Sequence, residues 1–159
     1  MNHVAISETK LSIEKLTCMV TSPGCGAVAS FMGTTRDNFD NKTVVKLEYE
    51  AYDEMAKKKM LEVCQEIRSQ WKVENIAIEH RIGVVPVAES SIIIAVSSAH
   101  RSESLEAVSY AINRLKEVVP IWKKEVYEDE TSAWKQNKEC SWSEARLENG
   151  TNEGTSPLD

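Results

Sequence analysis

SIIIAVSSAHRSESLEAVSYAINRLKEVVPIWKKEVY, Ser91 to Tyr127, changes its periodicity twice within 37 residues. Ile92–Val96 is apolar without alternation, which predicts a central strand covered on both faces. From about Ser104 to Val119, the residues Leu105, Val108, Ile112, Leu115 and Val119 recur at helical spacing, and Glu103 and Glu106 suit the positive end of that helix. Pro120 ends it, and Ile121–Tyr127 predicts a further strand. Strand, helix and strand with so little chain between them require a mixed α and β domain.

Upstream the same logic continues. Ser12 is placed to cap a short helix turning Ile13, Leu16, Met19 and Val20 inward, and Pro23-Gly24 breaks it. Gly26–Thr34 predicts a strand of small and apolar residues. Val45, Leu47, Tyr49 and Ala51 alternate with Lys46, Glu48 and Glu50, the period of a strand with one wet face. Asp53 is placed to cap a helix carrying Ala56, Met60, Val63, Cys64, Ile67 and Trp71 on one stripe, with Lys57, Lys58 and Lys59 solvated. Ile76, Ile78, His80 and Ile82 then alternate with Ala77, Glu79 and Arg81. The order strand, helix, strand, strand, helix, strand predicts an α+β sandwich with a mixed sheet and helices packed on it. Residues 1–142 are expected to form one domain, and Ser143–Asp159 to be a disordered tail too poor in apolar residues to fold.

The 159 residues, 42% of them apolar, suffice for one core. A net charge of -6 excludes nucleic acid and anionic membrane surfaces as partners, so an anionic ligand must meet a local cationic cluster. Ser91–Val96 is too short to span a bilayer and Met1–Lys10 lacks a signal-peptide pattern, which predicts a cytosolic protein. Cys18, Cys25, Cys64 and Cys140 lack ligand spacing, so neither zinc nor a disulfide is expected. Cys140, near cations in a polar stretch, reads as an ordinary free thiol.

Few residues carry candidate chemistry. His100-Arg101 stand at a helix entry, where unpaired N–H groups favour an anion. Lys116 near the end of that helix and Lys123 after Pro120 are candidates for one pocket, where clustered cations would favour a neutral amine. Arg36 closes a strand and adds a cation. Singly, each is ordinarily a solvated surface charge.

Taken together, FMGTTR (Phe31–Arg36), HRIG (His80–Gly83), SSAHRSESLEA (Ser97–Ala107) and LKEVVPIWKKE (Leu115–Glu125) resemble the large, catalytic subunits of molybdopterin synthases, in register from about Gly26 to Cys140. Trp134–Cys140 is similar to the animal branch of that family. The resemblance implies an α/β hammerhead fold and a central homodimer flanked by two small ubiquitin-like subunits in a heterotetramer. It implies that the small subunit's Gly-Gly tail, as a thiocarboxylate, supplies sulfur to cyclic pyranopterin monophosphate, with no cofactor. By motif position, Arg36, His100 and Arg101 would hold the pterin phosphate, and Lys116 and Lys123 would be catalytic. Bacterial members have an arginine that reaches the neighbouring pocket where this chain has Lys138, which keeps the charge and loses the fork.

A different class of function, a docking module that binds a ubiquitin-like tail without chemistry, has no need of two lysines and a His-Arg pair. A nucleotide-dependent enzyme would require a P-loop or GxGxxG, and neither occurs.

Overall fold

The computed structural model describes residues 1–129 and 131–135. Lys138, Cys140 and the tail from Ser143 lie outside them. The order is β1 (Asn2–Ser7), α1 (Ile13–Val20), β2 (Ala27–Thr34), β3 (Asn38–Phe39), β4 (Lys42–Ala51), α2 (Asp53–Gln70), β5 (Ile76–Arg81), β6 (Gly83–Pro86), β7 (Ser90–Ser98), α3 (Arg101–Val118), β8 (Ile121–Tyr127) and β9 (Ser132–Lys135). One sheet runs β1-β5-β7-β2 and is mixed, because β1 lies parallel to β5 while the other pairs are antiparallel. The second joins β3, β4, β8 and β9, with β6 also paired to β4. The predicted mixed α+β architecture is the one found.

The unalternating run is central. All of β7 is buried, with Ile92, Ile94 and Val96 packing under α2 and α3, and Ile93 and Ala95 under α1. Ser12 caps α1 as predicted, its Oγ accepting from Lys15 N–H at 3.1 Å. Because α1 covers the second face of β5, Ala77 and Glu79 are buried too. Burial alone would raise the Glu79 carboxyl, but bonds from Lys15 Nζ and His3 Nε2, each 2.8 Å, outweigh it and hold it below the usual range.

Four expectations need correction. Val45 is 44% exposed while Val44 is buried, because a bulge between Val44 and Lys46 shifts the register against β8 and reverses which neighbour faces inward. Asp53 is the first residue of α2 rather than its cap; Tyr52 holds that place without a side-chain bond, and Asp53 acts only through the helix dipole. β5 stops at Arg81, leaving Ile82 between strands. Finally, α3 begins at Arg101, and its buried stripe is Ser104, Ala107, Val108, Ala111 and Leu115. Leu105 points away and is 58% exposed, since small residues let the helix lie close to the sheet.

β1, β3, β6 and β9 are additional to the predicted strands. Arg68 anchors β1 from α2, donating to Met1 O and Asn2 Oδ1 at 2.9 and 2.7 Å. β3 and β4 join through Asp40-Asn41, both at positive φ as a two-residue hairpin of this twist requires, and the turn presents Phe39 to the site described next.

Candidate functional site

A cavity of about 500 Å³ opens where the two sheets meet, between the end of α3, strand β8 and the ends of β2 and β5. Lys116, in the last turn of α3, lines it. Val119-Pro120 then reverses the chain, with Ile121 N–H bonded to Val119 O at 2.9 Å, and β8 carries Lys123 into the same cavity. Alternation along β8 selects between the adjacent lysines. Lys123 lies opposite Tyr49 of β4, and Lys123 and Glu125 turn to the cavity, while Lys124 on the other face pairs with Glu48 at 3.8 Å. The two lysines singled out from sequence are thus brought together.

Close approach shapes the wall. A Cβ on Gly33 would stand 2.9 Å from Ile92 Cγ2 and 3.3 Å from Phe31 Cε1, so any side chain there would push into the cavity lining.

Polar residues that the motif reading did not assign also line the cavity, Glu125, Tyr49 and His80 among them. Glu125, 3% exposed, accepts from Tyr127 Oη–H at 2.7 Å, a bond that pushes the Tyr127 phenol up to about 12. Burial raises Tyr49, opposed by a bond with Ser91 and reinforced by the Glu125 charge. His80 stands edge-on to Tyr49 with ring centroids 5.1 Å apart. Burial pushes His80 down to about 4, against the opposing pull of the Arg81 carbonyl, so the ring is neutral at pH 7. The signals were present, since His80 opens HRIG and Glu125 closes LKEVVPIWKKE, but a buried histidine in a strand reads as core.

Arg36, His100 and Arg101 are not among the residues that line this cavity. Arg36 is exposed, two residues beyond Thr34 of the lining. His100 and Arg101 are exposed at the start of α3, fifteen residues before Lys116 and so about 22 Å from it along the axis at 1.5 Å per residue. Part of that helix start is already served internally. Ser98 Oγ accepts the Ser104 N–H at 3.1 Å, and the Glu103 carboxylate is held below its usual range by its own backbone N–H and by Ser102. Among the described residues no group of His, Cys, Asp and Glu is arranged to hold a metal ion, and no helix is long and apolar enough to cross a membrane.

A family model described as MoaE protein matches residues 6–118. The chain belongs to the MoaE family. Members similar to it include the molybdopterin synthase catalytic subunits of Homo sapiens, 60% identical over 84% of this chain and 70% of that one, and of Rattus norvegicus, 57% identical over 87% and 70%. Among solved structures, molybdopterin synthase from Staphylococcus aureus superposes with a TM-score of 0.78 at 39% identity, covering 82% of this chain and 94% of that one. A complex of subunits 1 and 2 of the molybdopterin-converting factor from Helicobacter pylori, 20% identical, shares the fold with a TM-score of 0.68 over 86% of this chain and 92% of that one. The animal-branch resemblance agrees with these MoaE relatives.

Proposed function

We propose that this chain is the catalytic subunit of a molybdopterin synthase, a sulfurtransferase moving sulfur from the C-terminal thiocarboxylate of a small ubiquitin-like subunit to cyclic pyranopterin monophosphate. The observation carrying this reading is the convergence of Lys116 and Lys123 on one cavity of an otherwise acidic protein. An anionic Gly-Gly tail entering that cavity meets two ammonium groups walled by apolar side chains, where charge attraction is less screened than in water. Lys116 is assigned to the tail, orienting the thiocarboxylate and stabilising the oxyanion formed on attack. Lys123 is assigned to the pterin, in acid–base steps or in binding developing charge. Sulfur comes from the partner, so the chemistry needs neither resident cofactor nor metal.

The helix length bears on assembly. One chain cannot bring His100 and Arg101 to its own Lys116, so a phosphate subsite made of them requires a second copy, which supports a central homodimer within a heterotetramer. Arg36, two residues beyond Thr34 of the cavity lining, is assigned to the same phosphate. Lys138 is retained as a further cation offered to the neighbouring pocket.

The test is conversion of the pterin precursor by the purified chain supplied with thiocarboxylated small subunit. Product formation is expected. Binding without product would make the chain a docking module instead.

A further inference from the structure

His80 is among the cavity-lining groups whose chemistry the lysine assignments leave unused. It is only 8% exposed and lines the cavity. Its Nδ1 lies 2.8 Å from Arg81 O, and a carbonyl oxygen can only accept, so the ring's single proton sits on Nδ1. The edge-on contact with Tyr49 fixes the ring plane. Nε2 is therefore a bare lone pair with no hydrogen-bond partner among the described residues.

The other polar groups give this lone pair its meaning. Two ammonium groups are donors only, and the Glu125 carboxylate already receives the Tyr127 hydroxyl. His80 adds an acceptor that is neutral and held in a fixed plane, beside a charged carboxylate that keeps further lone pairs of its own. We propose that His80 Nε2 is a positioning residue of the cavity, accepting an N–H from a reacting molecule. This rests on the function proposed above. The N–H belongs either to an amide of the glycine tail or to the pterin ring. The contact adds no proton transfer; it fixes the donor's orientation relative to Lys116 and Lys123.

The chain contains three histidines, His3, His80 and His100, so its imidazole nitrogens are separable by heteronuclear NMR. Unactivated small subunit and cyclic pyranopterin monophosphate are added in separate titrations to the intact, ¹⁵N-labelled protein. The unprotonated His80 Nε2 resonance is expected to move upfield with one of them, identifying the source of the N–H. In parallel, His80→Gln, whose amide oxygen can take the place of Nε2, is expected to bind that ligand within about threefold of the parent. His80→Met, similar in bulk without the acceptor, is expected to bind it about tenfold more weakly, the scale of one hydrogen bond. An unmoved Nε2 resonance with both ligands, in a parent that turns over, overturns the assignment while leaving the sulfurtransferase reading intact. Equal affinities of the parent and both variants overturn it too. Failure of the parent itself to turn over strikes the sulfurtransferase reading.

Discussion

Lys116 and His80 line the same cavity and differ in what a substitution should report. Lys116 is exposed near a helix end, so Lys116→Ala should fold with parental stability, within about 0.5 kcal/mol, yet lose most sulfur transfer while still binding partner and precursor. Lys116→Arg separates fixed charge from proton chemistry, because arginine stays protonated near pH 7. A single-turnover assay in which the arginine variant keeps parental rate would reduce Lys116 to a charge. His80 reports on stability instead. Its unfolded imidazole titrates near 6.5 and its folded one near 4. Between those values the unfolded chain binds the extra proton, so stability is full above about pH 6.5 and falls as pH drops toward 4. Urea unfolding at pH 7 and pH 4.5 should show the parent losing about 2 kcal/mol more than His80→Gln.

Among the elements, β4 shows most directly how local pattern and tertiary register compete. Alternation from Val45 to Ala51 predicted the strand correctly, and Leu47 faces inward as expected. The bulge, however, lies in the pairing with β8, which no periodicity within β4 encodes. Val44→Ala should therefore cost about 2 kcal/mol, and Val45→Thr less than about 0.5, in thermal or denaturant unfolding. The reverse order would place the bulge elsewhere. The same distinction separates what was legible from what was not. β7, α2 and β8 were readable from their own residues, an unbroken apolar run, a helical stripe and a segment set off by Pro120. β1 was not, because its place depends on parallel pairing with β5 some seventy residues away and on Arg68 reaching across from α2. In the cavity, Lys116 and Lys123 were legible through their motifs. Tyr49 and Glu125 were visible only as strand residues, since their meeting is set by β4–β8 register.

For the molecule as a whole, the distribution of charge matters more than its sum. A chain of net charge -6 places two lysines at one cavity and a His-Arg pair at the far end of the helix that ends beside it. Association should therefore be detectable without substrate. Light scattering of the purified chain at micromolar concentration should give twice the 17.8 kDa subunit mass, and a monomer would remove the shared phosphate subsite.

The length of α3 also has a genetic consequence. If its two ends serve different pockets, an Arg101→Ala lesion damages the neighbour's site while Lys116→Ala damages its own. In a heterozygote carrying one lesion on each allele, a mixed dimer would concentrate both defects in one pocket and leave the other intact. Random assortment makes half the dimers mixed, so about a quarter of pockets would be whole where either homozygote has none. Co-expressing the two variants and measuring turnover reads this interallelic complementation. Activity no higher than the mean of the separate variants would mean that each chain completes its own site.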